Sequence, residues 1–305
     1  MGRYIFLRIL GMIAVVWFIG TITFALMHAI PGGPWDEEKP ITEDAKANIK
    51  RMYGLDKPLF VQYLLYWRNF LRLDLGHPYQ SPLETVQGLI GRTWPASVQL
   101  GLMTVVVAAV LGIGLGIIAA LNQNTWIDYL ATTLAVFGVV TPNFALGMAM
   151  VLIFSTILGW LPAGGWEGPK YYIMPVICFA LGPMATLARY TRTSIIEVMR
   201  DDYVRTARAK GLPERQVVIK HMLRNAFIPI MTILGPMAGA LVTGSIYVEA
   251  IFRVPGIGKY FTSSIAARDY PMMMAITMLY ALIVAVSYLL TDLAYVLIDP
   301  RVKLS

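Results

Sequence analysis

The feature that most constrains this chain is a set of apolar runs too long for an ordinary soluble domain. Six segments qualify, at 9–30, 96–121, 130–158, 172–191, 227–250 and 272–297. A helix needs about 20 apolar residues to cross roughly 30 Å of hydrocarbon. Each run is therefore predicted to be a transmembrane helix. The composition agrees. The chain is 57% hydrophobic and 14% charged, where soluble domains carry about 25% charged residues. The fourth run is interrupted by Pro175 and Pro183, breaks that a bundle tolerates because neighbouring helices satisfy the freed backbone groups. The expected fold class is an all-α membrane protein with six transmembrane helices.

The N-terminus has a charged start and an apolar run, as a signal peptide does. Its run, from Ile9 to Ile30, exceeds the roughly 7–15 residues of a signal core, so it reads as an uncleaved first span. Myristoylation at Gly2 is the competing reading, but Phe6 stands where Ser or Thr is expected.

Orientation follows from Lys and Arg in the short loops. Both termini and the even-numbered connections fall on one side of the membrane. That side holds Arg3, Arg8, Arg301, Lys303 and, between 189 and 225, nine basic against four acidic residues. The 31–95 connection balances eight basic with eight acidic residues. Both termini are therefore expected in the cytoplasm and 31–95 outside. The chain divides into 1–30, an N-terminal segment with the first span; 31–95, an extracytoplasmic loop with amphipathic helices; and 96–305, a five-helix core with a cytoplasmic hairpin at about 194–226. In the outer loop, Thr42 reads as a helix N-cap with Glu43 and Asp44 behind it, and Gly54 as the stop. A second outer helix aligns Phe60, Leu64, Trp67 and Leu71 on one stripe. Its Tyr63, Tyr66, Trp67 and Arg68 suit either packing on the bundle rim or the membrane interface. Gly112 with Gly116, and Gly235 with Gly239, have the four-residue spacing of close helix packing, either within the chain or at a subunit interface.

No enzyme signature emerges. "VPGIGKYF" at 254–261 approaches a phosphate loop, but Tyr260 replaces the hydroxyl residue and the upstream glycine is missing. "GIGLG" at 112–116 follows no strand. His28, His77 and His221 lack ligand spacing, and the single cysteine, Cys178, forms neither an internal disulfide nor a metal cluster. Few carboxylates fall near the spans: Asp292 and Asp299 at the inner end of the last, Glu249 at the outer end of the fifth. A proton-coupled pump would need more. No cofactor is expected in this chain, and energy, if used, comes from another subunit.

The segment "DDYVRTARAKGLPERQVVIKHMLRNAF", from Asp201 to Phe227, breaks the apolar pattern. Asp201 and Asp202 suit the positive N-terminal end of a short helix. Lys210 sits in its last turn, and Gly211 can take the left-handed stop. Pro213 then suits the first position of a second helix that runs into the fifth span. Asp202, Tyr203, Arg205, Thr206, Ala207, Arg208, Ala209, Lys210 and Gly211 thus form a slim, polar, basic helix suited to a groove on a cytoplasmic partner. Positive-inside anchoring is the plainer alternative. A DNA-binding helix-turn-helix is disfavoured because both ends are tethered to spans, and no nucleic-acid partner is expected.

"DYVRTARAKGLPERQVVIKHMLRNAFIPIMTILGPM" closely resembles the coupling-loop signature of permeases in binding-protein-dependent ABC importers. "MHAIPGGP", "YGLDKPLFVQYLLYW", "DLG", "GVVTPNF", "LGWLPAGGW", "VEAIFRVPGIGKYF", "ARDYP" and "DLAYVLIDPRVK" resemble, in order, the B-type permease of oligopeptide and dipeptide importers. The broad signature begins Glu-Ala-Ala. Here Arg205, Thr206 and Ala207 stand at that place, as in the peptide-importer subgroup, and Gly211 matches the later glycine. The resemblance implies a type I importer permease fold with a coupling helix, in a prokaryotic cytoplasmic membrane. It implies a heterodimer with a homologous C-type permease, two ATPase subunits that carry ATP and Mg, and an extracytoplasmic peptide-binding protein. The implied substrate is a peptide, with "PGGP" and "LPAGGWEG" the more oligopeptide-like features. Sister systems for dipeptides, nickel, glutathione or oligosaccharides are alternatives, as is a non-transporting anchor or sensor. Pro142 and Asn143, which break the third span, are candidates for the translocation path, with a structural kink the competing reading.

Overall fold

The computed structural model describes residues 2–29, 51 and 53–298, and among these residues there is no strand. The helix predicted from Thr42 lies outside the described residues, as do Asp299, Arg301 and Lys303. Five helices are long and apolar enough to span a membrane: α1 (Gly2–Ala29), α3 (Val86–Leu121), α6 (Pro169–Val198), α9 (Leu223–Val242, entered through a π-helical turn at Val217–Met222) and α12 (Tyr270–Ile298). A further pair, α4 (Trp126–Val140) and α5 (Asn143–Met150, extended by a π-helix at Val151–Ile157), is together long and apolar enough for a sixth span but is bent by 102° at its break. The shorter elements are α2 (Leu59–Leu71), α7 (Asp202–Ala209), α8 (Glu214–Gln216), α10 (Ile246–Ile251) and α11 (Gly258–Ala266).

Two helix boundaries differ from the hydropathy reading. α3 begins at Val86, ten residues before the apolar run, with the Thr85 hydroxyl accepting from the Gly88 N–H at 3.1 Å. Its 36 residues reach about 54 Å at 1.5 Å per residue, far more than the hydrocarbon needs. The extra turns carry Gln87, Arg92 and Thr93. Helix nine ends at Val242, because Gly244 turns the chain at φ +92° and Ser245 caps the separate α10.

The bundle centres on α3 and α6, its most extensive helix pair. Lipid tails are as apolar as the side chains, so packing rather than water exclusion holds such a pair together. Small residues make the approach possible. A Cβ added at Gly112 would lie 2.6 Å from the Met184 carbonyl oxygen, and one at Gly116 would lie 2.6 Å from that of Ala188. Gly235 and Gly239 likewise face Thr291 and Ser287 of α12. Both glycine pairs therefore serve seams within the chain. α1 lies against α12, where Arg8 Nε meets Asp292 Oδ2 at 3.1 Å. The outer helix α2 divides its stripe. Trp67 packs on Gly20, and Tyr63 reaches Thr21 and Phe24 of α1, while Phe60, Leu64 and Leu71 remain exposed. Gly54 takes the left-handed conformation expected of it, at φ +69°.

Candidate functional site

The hairpin forms where the charge pattern predicts it. Asp201 is the N-cap residue of α7 in extended geometry, and Lys210 is the C-cap. Gly211 adopts φ +73°, its N–H donating to the Arg208 carbonyl at 2.9 Å. Pro213 stands one residue earlier than expected. It is the N-cap of α8, at ψ 140°, rather than its first helical residue. Arg208 closes the turn, its Nη2 and Nε lying 2.6 and 3.2 Å from the two Glu214 oxygens.

The two faces of α7 are distinct. Val204 and Ala207, one turn apart, are buried with Ala120, Ile195, Val217, Val218, Met222 and Ala226. Ala207 is 4% exposed, which corrects its expected place on the docking face: it anchors the hairpin to the ends of α3 and α6. Asp202, Tyr203, Arg205, Thr206, Arg208, Ala209, Lys210 and Gly211 are exposed and form the outward surface. Arg205 and Asp202 approach at 3.7 Å, an exposed pair worth little to stability.

Pro142 and Asn143 lie elsewhere. Thr141, preceding a proline, is driven to extended geometry, ψ 120°. Pro142 continues it at ψ 134° and ends up exposed, with Asn143 half-buried behind it. The Cys178 thiol donates to the Asn143 carbonyl at 3.3 Å, tying the break to α6. The fold does not bring the hairpin and this break together: α5 packs on α6 and α10.

Two polar constellations escaped the sequence reading. At the outer end, Glu249 is 2% exposed. It accepts from Ser97 Oγ at 2.7 Å, from the Gly258 N–H at 2.7 Å and from the Ser245 N–H at 3.3 Å. Ser97 Oγ in turn accepts from the Ile257 N–H at 2.9 Å. A Cβ at Gly244 or Gly256 would collide with the Glu249 carboxylate, so the glycines of "VPGIG" wrap a carboxylate of this chain and leave no room for a phosphate. Burial pushes the Glu249 carboxyl above its ordinary range, against the pull of its three donors. Asp269 is raised by burial as well, while holding the backbone N–H groups of Gln80 and Met272. The signal available in sequence was a glutamate followed at short range by Gly-x-Gly.

The second constellation lies at the cytoplasmic end. Asp128 of α4 is 2% exposed and meets Arg192 of α6 in a two-pronged pair, at 2.6 and 2.7 Å. The Asn124 N–H adds a bond of 3.0 Å to the same carboxylate. Chemically these features tether one part of the chain to another. Among the described residues no three His, Cys, Asp or Glu side chains converge as a metal site.

Residues 112–304 match the family described as binding-protein-dependent transport system inner membrane component, and residues 1–83 match the N-terminal family of the same systems. The chain is 42% identical over 304 residues to a dipeptide transport system permease protein of Bacillus subtilis (strain 168), covering 100% of this chain and 99% of the other. It is 37% and 36% identical to oligopeptide transport system permease proteins of Haemophilus influenzae and Escherichia coli (strain K12), over 99% of this chain and 100% of each. A solved structure of inward-facing conformations of a methionine ABC transporter aligns with a TM-score of 0.59 at 16% identity. That alignment covers 69% of this chain and 96% of the other, and is a likeness of fold.

Proposed function

Since the chain belongs to the family of inner membrane components of binding-protein-dependent transport systems, we propose that it forms half of an ATP-driven import path for peptides. The observation that carries this reading is the whole-length similarity to permeases named for dipeptides and oligopeptides. Those names span both peptide lengths, so the substrate class is a di- or oligopeptide. A homologous permease supplies the other half of the path, and an extracytoplasmic binding protein delivers the peptide.

ATP and Mg²⁺ belong to two separate ATPase subunits. The exposed face of α7, from Asp202 to Gly211, docks them, and the buried Val204–Ala207 face passes their movement to α3 and α6. Pro142 and Asn143, at the break of the third span, line the path.

The test is reconstitution of this permease with its partner permease, ATPases and binding protein in sealed vesicles. Labelled dialanine and pentaalanine are then offered outside, with and without ATP within reach of the ATPases. Uptake that needs ATP and the binding protein supports the reading. Peptide uptake indifferent to ATP, or uptake of nickel in place of both peptides, refutes it.

A further inference from the structure

α4 runs along α6, and two contacts fix it there: an ion pair near its start and a close backbone approach near its end. At the cytoplasmic end stands the Asp128–Arg192 pair. At the other, Gly138 presses on α6, where an added Cβ would lie 3.0 Å from the Leu181 carbonyl oxygen and 3.2 Å from Ala185 Cβ. Alongside these contacts a gap of about 210 Å³ opens among α3, α4 and α6, lined from Arg192 as far as Val140. Small groups line it, among them Gly116, Ala119, Ala131, Ala135, Ala185 and Ala188. A helix pinned at a close contact near one end, tied by a charge pair near the other and bordered by a gap has the geometry of a lever.

Both ends of that lever lead somewhere. Arg192 lies less than two turns before the end of α6 at Val198, and α7 begins at Asp202. One turn after Arg192, Ile195 is buried in the same cluster as Val204 and Ala207, so the α6 end and the hairpin are packed as one piece. Beyond Gly138, α4 ends at Val140 and the chain turns through 102° at the Pro142 break. About 15 Å of helix separates Asp128 from Gly138, and about 3 Å more reaches the end of α4 at Val140.

We infer that the Asp128–Arg192 pair is the link through which movement of the cytoplasmic hairpin reaches the broken third span. The inference rests on the transport reading above. A two-pronged guanidinium–carboxylate bond suits the task, because it fixes orientation as well as distance and so can push as well as pull. Apolar contact would slip at such a joint. Asp128 is buried while Arg192 keeps 29% of its side chain exposed beside the gap, so the pair ties a buried group on α4 to a partly open one on α6. Arg192 and Asp128 are thus positioning residues: they touch no substrate and act on Pro142 and Asn143 through α4.

The test uses the full transporter in lipid nanodiscs, with Cys178→Ser as background. Spin labels go on Leu111→Cys of α3 and Leu130→Cys of α4, both half-exposed. The distance between them is compared without nucleotide and with ADP-vanadate. The parent complex should shift by about 2 Å or more, the scale of helix movements in switching proteins. In Asp128→Leu/Arg192→Met, which removes both charges and leaves none unpaired, the complex should assemble at parental yield but lose most of that shift. Asp128→Asn/Arg192→Gln serves as a second double variant if the first fails to assemble, with the same expectation. A pair that only stabilised the fold would leave the shift intact in an assembled double variant, and that result overturns the inference. So does a parent complex whose α4 stays still while its ATPases bind nucleotide. Failure of the ATPases to associate with the parent chain at all counts instead against the transport reading.

Discussion

Replacing Gly211 isolates a single energetic effect. The residue sits at φ +73° in the turn between α7 and α8, and an added Cβ would meet no atom within 4 Å. Steric crowding by neighbours is therefore absent, and the cost of a side chain is conformational. Alanine in left-handed geometry costs roughly 1–2 kcal/mol. Valine, β-branched and a true outlier there, belongs at the upper end of the 1–3 kcal/mol typical of strained backbone. Asparagine visits this region readily and should cost a few tenths. The strain acts first on α7, whose buried face is only Val204 and Ala207. If local opening absorbs it, about 1–2 kcal/mol raises the open population roughly 5- to 30-fold. Hydrogen exchange of peptides covering 202–212, measured in the assembled transporter, reads this directly. Exchange should accelerate in the order Asn, Ala, Val, and recovery of the ATPase subunits on purification should fall in the same order. A Gly211→Val protein with parental exchange and full uptake would falsify both the strain argument and the coupling role of the turn.

Other expectations follow from the same geometry. Ala207→Arg drives a long cation into a buried site. Overpacking alone costs about 1–3 kcal/mol, so limited proteolysis should cut the hairpin and ATPase recovery should collapse; Lys210→Gln, fully on the surface, should change neither. Glu249→Ala leaves the N–H groups of Ser245 and Gly258 and the Ser97 hydroxyl without their acceptor, at about 1–3 kcal/mol each, and should lower the melting temperature in detergent at neutral pH. The raised Glu249 carboxyl binds its proton more tightly when folded. Its contribution to stability is therefore fully present at acid pH and lost as pH rises from the ordinary carboxylate range through the raised value. Glu249→Gln should flatten that part of the stability–pH profile, and an unchanged slope would count against the burial argument. For topology, Asp56→Cys should react with a membrane-impermeant maleimide on intact cells and Lys210→Cys only after lysis; labelling of both from outside would reverse the orientation.

Hydropathy located the spans because it measures transfer into lipid, and it missed the first ten residues of α3 for the same reason: the helix continues there through Gln87, Arg92 and Thr93, which carry no apolar signal. The hairpin's stop was legible because glycine is the residue that accepts φ +73° at no steric cost. The inward turn of Ala207 was not, since a small residue on a short polar helix is equally at home on either face. The Glu249 site joins residues 152 positions apart, and the Asp128–Arg192 pair joins residues 64 apart. No local pattern encodes such partners. What the sequence did hold was the glycine spacing that the carboxylate requires, visible there only as a failed phosphate loop. The break at Pro142 lay in between: proline announced it, but the 102° bend depends on what α5 packs against.

The glycine seam between α3 and α6 also has a consequence for how the protein is made. Gly112 closes on Met184, and Gly116 on Ala188, residues synthesised roughly 70 positions later. At about 5–20 residues per second, α3 waits some 4–14 s in the membrane before its partner emerges. During that interval its glycine face has only lipid or the insertion machinery against it, and α4 and α5 must be threaded past without filling the vacancy. A bulky residue at Gly116 would thus act twice, once by blocking the finished seam and once by giving the waiting helix a side chain that packs with the wrong neighbour. Pulse-labelled α3 variants are therefore expected to be lost within the first rounds of quality control, before any mature transporter is assembled.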